Sequence, residues 1–129
     1  MQKYDFTDLL AFLKESFGED LRWVANFRAD TTQYKFQFVR DDLTDDLRSR
    51  DLDNVIHRSL AVFNRRHVDR VYPHLGTSRY VLAEYERGLA LHLYLDDARG
   101  VAVVLEPDAE VDLPGFVDDC FDRVDATEA

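Results

Sequence analysis

The clearest secondary-structure pattern of the chain lies in residues 80–105, which read YVLAEYERGLALHLYLDDARGVAVVL. Three apolar segments of strand length are separated here by short turns that contain Gly88 and Gly100. In the second segment, leucines recur at every second position from 89 to 95, which is the period of a β-strand. The third segment is apolar throughout, which predicts a central strand covered on both faces. Segments 80–85, 89–95 and 101–105 are therefore predicted to form an antiparallel meander.

The same two-residue period appears earlier in the chain. Between residues 21 and 27, Leu21, Trp23, Ala25 and Phe27 alternate with other residues. After the polar turn 29–32, the alternation resumes over residues 34–38. Two alternating runs joined by a short polar loop predict an antiparallel hairpin with one face towards solvent. The hairpin and the meander together predict one five-stranded antiparallel sheet.

Three stretches have helical spacing of apolar residues instead. They predict helices at about 6–17, at 42–66 after an acidic start, and over the stripe from Leu113 to Val124. A slip in spacing between Leu47 and Leu52 indicates a kink or two helices. The predicted class is α+β, in the order α-β-β-α-β-β-β-α, with the helices packed on the sheet. We predict a single domain over 1–129, with an ordered core at about 5–124 and a frayed tail at 125–129.

The charge is strongly acidic and unusual in its residue types. The net charge is −10, with 19 Asp against 7 Glu, and 13 Arg against three Lys. This composition resembles that of proteins from salt-accumulating archaea, in particular small haloarchaeal proteins, because concentrated salt screens the repulsion between surface acids. The alternative is a mesophilic protein from a GC-rich genome. Nucleic-acid binding normally requires a basic face, so the charge disfavours it.

Cysteine usage and the apolar runs predict the compartment. The single cysteine, Cys120, excludes an internal disulfide and fits a reducing cytoplasm. The N-terminus lacks a signal pattern, and the apolar runs are far shorter than the ~20 residues of a membrane span. We therefore expect a soluble, cytoplasmic protein that does not enter the membrane.

No motif for catalysis or for a cofactor stands out. The five glycines are isolated from one another, and the four histidines do not have the spacing of a zinc site. Cys120 lies on the apolar stripe of the last predicted helix, which indicates a buried core residue. The paired aspartates fall on predicted turns and helix exteriors, which favours solvated acid. We therefore predict no catalytic, cofactor-binding or metal-binding residues, and a protein that is not an enzyme.

One segment of the sequence is basic, although the chain as a whole is acidic. Residues 58–79 contain five arginines against Asp69 alone, whereas residues 106–128 contain nine acids against Arg123. Arginine suits bidentate pairing with carboxylate or phosphate. The alternative is that these arginines balance acids within the fold. The candidate partner-binding residues are Arg65, Arg66, Arg70, Tyr72 and His74.

The predicted element order, over residues 6–124, resembles the roadblock family of small adaptors and the wider profilin-like and longin-like group. The resemblance implies a dimer that pairs its sheets or long helices across a two-fold axis, and partners such as small GTPases or motor components. It assigns no functional residue. We predict a non-enzymatic, homodimeric adaptor or regulator that binds another protein. The resemblance suggests a small GTPase-like protein as this partner. The rival is a small-molecule sensor or small enzyme with a pocket between the sheet and the middle helix.

Overall fold

The computed structural model describes residues 2–46 and 49–128, which form an α+β fold with helices on both faces of a sheet. In chain order the elements are β1 Gln2–Asp5, α1 Thr7–Phe17, β2 Leu21–Arg28, β3 Gln33–Val39, α2 Asp41–Asp46, α3 Ser49–Phe63, α4 Arg65–Val71, β4 Tyr80–Tyr85, β5 Gly88–Tyr94, β6 Arg99–Leu105, α5 Gly115–Asp122 and β7 Asp125–Glu128. Short 3₁₀ turns follow α1 and α4, at Gly18–Asp20 and Pro73–Leu75. None of the helices described has the length and apolar character needed to cross a bilayer.

The five-stranded antiparallel sheet is confirmed. Its strand order is β3-β2-β6-β5-β4, so β6 lies at the centre, as its continuous apolar run predicts. Short turns join β2 to β3, β4 to β5 and β5 to β6, while the α2–α4 segment crosses from one edge strand to the other. The edges of the sheet are therefore β3 and β4.

A second, two-stranded ribbon is a correction to the sequence analysis. Strand β1 pairs antiparallel with β7, with Gln2 opposite Glu128 and Asp5 opposite Asp125. The tail 125–129 was predicted to fray, yet its residues 125–128 form β7, and residue 129 lies outside the described part. Neither strand, QKYD or DATE, has the alternation of apolar residues that identifies a half-buried strand in a sequence.

Two apolar clusters cover the two faces of the sheet. The first unites α1 and α5 with the sheet and includes Leu9, Leu13, Leu91, Val103, Val117 and Cys120. The second lies under α2 and α3 and includes Trp23, Phe27, Leu43, Ile56 and Leu60. The terminal helices thus cover one face and the middle helices the other, a choice that element order alone left open. Because helices cover both faces of the sheet, most residues of β2, β5 and β6 are buried.

The hairpin β2–β3 differs from its predicted form. The register of β2 against β6 shifts between Leu21 and Trp23, which is a β-bulge. The extra residue sends Leu21 to the α1–α5 face and Trp23 to the opposite face, although alternation predicts the same side for both. Val24 is also buried, so β2 has no wet face. The prediction of a solvated hairpin face was wrong for β2, because α1 and α5 cover the face that was expected to be exposed.

The predicted helix 42–66 corresponds to α2, α3 and the start of α4. Residues 47 and 48 lie outside the described part, so the predicted kink between Leu47 and Leu52 falls partly on residues that the structure does not describe. A break falls at Asn64, whose backbone is extended (φ −67°, ψ 144°). The chain then continues in α4 to Val71, five residues beyond the predicted end.

Candidate partner-binding surface

Helix α4 begins at a well-made N-terminal cap. The Asn64 side-chain oxygen accepts a hydrogen bond from the backbone N–H of His67 at 2.9 Å, which satisfies a donor that the first turn leaves unpaired. The Asn64 amide nitrogen donates to the carbonyl of Leu60 at 3.0 Å, so one side chain ends α3 and starts α4. Val68 packs into the cluster beneath α3 and fixes which side of α4 faces the sheet.

That orientation turns Arg66 and Arg70 towards solvent. Both are exposed and lie four residues apart in α4, so they share one side of the helix. In the described part of the chain, neither forms an ion pair within 4.0 Å. Two unneutralised guanidinium groups side by side are available to an acidic partner.

Arg65 plays a different part from its neighbours. Its Nε donates to the carbonyl of Ser78 at 3.0 Å, and its Nη1 lies 3.5 Å from the Asp97 carboxylate. Its side chain is only 18% exposed. The guanidinium therefore joins α4 to the 72–79 loop and to the β5–β6 turn, which is the internal role that the sequence analysis held as its alternative.

The end of α4 and the loop after it present an apolar surface beside these arginines. Tyr72 and His74 are exposed, and their rings meet edge to face with centroids 6.3 Å apart. Val71 and Leu75 are 60% and 70% exposed, and the sequence analysis did not name them. The signal was present, since both are large apolar residues outside any strand pattern or helical stripe. We call Arg66, Arg70, Val71, Tyr72, His74 and Leu75 the α4 surface.

Hydrogen bonds at Asp69 hold this loop in place. The Asp69 carboxylate accepts from the Ser78 backbone N–H at 2.8 Å and from its hydroxyl at 2.5 Å. The Ser78 hydroxyl holds the pKa of the Asp69 carboxyl below its usual value. Tyr94, beneath α4, donates its hydroxyl to the carbonyl of Phe63 at 2.5 Å, and burial raises its pKa to about 12. These hydrogen bonds therefore hold the α4 surface in place.

The other candidates of the sequence analysis occupy different surroundings. Cys120 is fully buried, as predicted, and burial raises the pKa of its thiol to about 12, which keeps it protonated and unreactive. His57 lies beside Tyr34, with ring centroids 6.5 Å apart. Within residues 2–46 and 49–128, no three His, Cys, Asp or Glu side chains are grouped to hold a metal ion.

The strand order and the helices on both faces define the class of the fold as roadblock-like. The Roadblock/LC7 domain from Streptomyces avermitilis superposes with a TM-score of 0.54 at 14% identity, over 79% of this chain and 78% of that chain. The resemblance predicted from element order is therefore confirmed for the fold. The chain belongs to the family described as domain of unknown function DUF7522, whose profile matches residues 7–125. No curated protein matched the chain.

Proposed function

We propose that this protein is a non-enzymatic interaction module that binds a partner protein through the α4 surface. The observation that carries the proposal is the exposure of Val71, Tyr72 and Leu75 beside two unpaired arginines. Apolar and aromatic residues next to arginine are typical of the energetically dominant part of protein interfaces. A basic surface on a chain of net charge −10 favours a partner with an acidic face.

For the finer identity of the partner, the support is the roadblock-like fold alone. Roadblock-like domains are adaptors, and a small GTPase-like protein in the cytoplasm is the partner that this resemblance suggests. The rival proposal, a sensor or enzyme with a pocket between the sheet and the middle helix, gains no support. The space it needs contains buried apolar side chains, among them Trp23, Ile56 and Leu60.

We further propose that the module is a homodimer joined through strand β4. An edge strand presents unpaired backbone N–H and C=O groups, which pair readily with a second chain. Each edge strand carries one charged residue, Glu84 in β4 and Lys35 in β3, but β4 lacks the two glutamines of β3. The more apolar edge suits pairing with a copy of itself. Light scattering in molar salt should give about twice the 15.0 kDa chain mass, and a monomer across the micromolar range would contradict the dimer.

The test of the α4 surface is the double substitution Arg66→Gln with Arg70→Gln. Because both side chains are exposed and unpaired, the melting temperature in high salt should stay within about 2 °C, as for other surface substitutions. Affinity capture from native high-salt lysate, read by mass spectrometry, should lose or weaken the retained partner. Leu75→Ser should weaken the same partner through the apolar part of the surface.

The matched control is Arg87→Gln, which removes an exposed arginine from the turn between β4 and β5. It should retain the partner as the unmodified protein does. Unfolding of the Arg66 and Arg70 variant would show that these arginines balance acids within the fold. Unchanged stability together with unchanged retention would place the functional face elsewhere.

A further inference from the structure

A long open groove lies on the opposite side of the sheet from α4, between α1, β1 and the edge strand β3. It consists of two hollows of about 560 and 570 Å³ that share Tyr4, Phe6 and Lys35. One hollow continues along α1 to Lys14, and the other continues along the hairpin to Arg28. We call this feature the α1–β3 groove. It opens to solvent along its length, whereas small-molecule sites enclose most of their ligand.

The charge of the groove is opposite to that of the whole chain. Two of the three lysines of the sequence line it, Lys14 from α1 and Lys35 from β3. Over the described residues, Lys14 and Lys35 take part in no ion pair. The Lys14 amine lies 5.0 Å from the centre of the Phe38 ring, which directs it towards β3.

The remaining charges leave this excess of cations in place. Arg28 is paired with Asp30 at 2.8 Å, and the Arg99 guanidinium lies 5.9 Å from the Tyr4 ring centre. Asp5 is the one acid among the residues that line the two hollows, and it accepts the backbone N–H of Thr7 at the start of α1. A ligand in the groove would therefore meet two unpaired lysines and few acids.

The sheet edge beside the groove also has room for a further strand. Strand β3 is the outermost strand of the sheet and pairs only with β2 among the strands described. Every second residue of such a strand directs its N–H and C=O groups away from the sheet, where an additional strand can pair with them. The seven residues of β3 span roughly 23 Å, enough for a peptide of similar length.

We propose that the α1–β3 groove binds an extended acidic segment of a partner protein, which adds a strand to the free edge of β3. Backbone hydrogen bonds to β3 would hold the segment, and its carboxylates would lie near Lys14 and Lys35. Its apolar side chains would contact the floor formed by Tyr4 and Phe6. The site is independent of the α4 surface, since α1 and α4 pack on opposite faces of the sheet.

The probe is a fluorescent nine-residue peptide of alternating Asp and Val, capped at both ends, in a buffer in which circular dichroism shows the protein folded. Fluorescence anisotropy should show saturable binding that weakens as KCl is raised, because salt screens exposed charges. A peptide with Lys in place of Asp should not bind. A peptide with proline at alternate Val positions keeps its charge but loses backbone donors, and it should bind much more weakly.

Paired charge reversals locate the site on the protein. Lys14→Glu with Lys35→Glu should weaken binding at least about tenfold, since each exposed lysine is replaced by a repelling charge. The control, Arg58→Glu with Arg87→Glu, changes the net charge by the same amount at exposed arginines outside the groove and should bind normally. In addition, the outward amides of β3 should exchange hydrogen more slowly when the acidic peptide is bound.

Three results would overturn the proposal. The first is no saturable binding of the acidic peptide up to millimolar concentration. The second is that the Arg58 and Arg87 control loses binding as much as the lysine variant does, which would show that net charge and not the groove attracts the peptide. The third is slow exchange of the outward β3 amides without peptide in a dimeric protein, which would show that a second copy occupies this edge. None of the three depends on whether the α4 surface captures its own partner.

Discussion

At the scale of single residues, His92 is an imidazole enclosed by aromatic rings. It is 4% exposed, its ring stacks on Phe63 with centroids 4.6 Å apart, and its Nδ1 has no hydrogen-bond partner among the described residues. Burial lowers its pKa to about 4, because the charged form loses its hydration. The folded protein therefore favours neutral His92, whereas the unfolded chain binds a proton near pH 6.5.

We predict that His92 makes the stability of the protein sensitive to mild acid. Since the unfolded state binds more protons between pH 6.5 and pH 4, the free energy of unfolding should fall by up to about 3 kcal/mol across this window. His92→Leu should abolish most of that fall in denaturant titrations at pH 7 and pH 4.5. Carboxyls with lowered pKa, such as Asp69, lose their contribution only at lower pH. The control is the exposed His74→Gln, and equal pH dependence in all three proteins would contradict the assignment.

Gly100 on β6 lies where its neighbours leave no room for a side chain. A methyl group on its Cα would collide with the Leu93 carbonyl oxygen and with the ring of Phe27. Since the carbonyl belongs to the neighbouring strand, relief would require the sheet itself to shift. We predict that Gly100→Ala lowers the free energy of unfolding by about 2 kcal/mol, as overpacking of a core does.

The matched substitution is Gly115→Ala at the start of α5, where an added methyl meets no atom within 4 Å. It should leave stability unchanged or raise it by about 0.5 kcal/mol, since alanine restricts the unfolded chain and favours helix. Chemical denaturation of both variants measures the difference. If the two variants were equally stable, the Phe27 ring and the β5 backbone would have to move aside for a methyl group at Gly100 at little cost in free energy.

At the scale of elements, the break between α3 and α4 sets the direction of the α4 surface. The Asn64 cap makes this break, so we predict that Asn64→Ala lowers the free energy of unfolding by about 1 kcal/mol. Asn64→Ser retains a capping oxygen and should recover at least half of that loss. If α4 also binds the partner, Asn64→Ala should weaken capture of the partner by more than its lower stability alone explains. A loss of stability with full retention of the partner would show that the cap does not affect partner binding.

The sequence predicts those elements whose apolar period matches their burial. The predicted bounds of β4, β5, β6 and α1 lie within two residues of the observed ones, because each packs apolar side chains against the core. The bulge beside Arg22 was missed, since it follows from the pairing of β2 with β6 and not from local pattern. The cap at Asn64 resembles any polar residue inside a helical stripe, and its role appears only when His67 is seen to donate to it.

The α4 surface and the α1–β3 groove also depend on contacts that the sequence does not reveal. Charge patterning identified Arg66 and Arg70, which are exposed, but it included Arg65, whose partners Ser78 and Asp97 are distant in sequence. The α1–β3 groove was not predicted, because its two lysines, Lys14 and Lys35, come from two elements that only the folded chain brings together. Local sequence therefore indicates which residues are unusual, and tertiary contacts decide which of them remain available.

At the scale of the whole molecule, the excess of acid should make folding depend on salt. We predict that the melting temperature rises between 0.1 M and 1 M KCl, as the Debye length falls from about 10 Å to about 3 Å and acidic groups repel less. Circular dichroism over a salt series measures this, with sucrose as a control for solute exclusion without screening. A melting temperature that is flat across the KCl series would remove the argument for adaptation to a salty cytoplasm.

The β1–β7 ribbon brings the two ends of the described chain together, with residues 2 and 128 opposite each other on neighbouring strands. Such strands lie about 5 Å apart, so a short flexible linker could join the ends without disturbing the sheet. Circular permutation is tolerated where termini are adjacent and the new opening falls in an exposed turn. The turn at Thr31 and Thr32 meets that requirement. A permutant opened there would carry its new termini, and any fused reporter, at the hairpin end of the α1–β3 groove and leave the α4 surface clear.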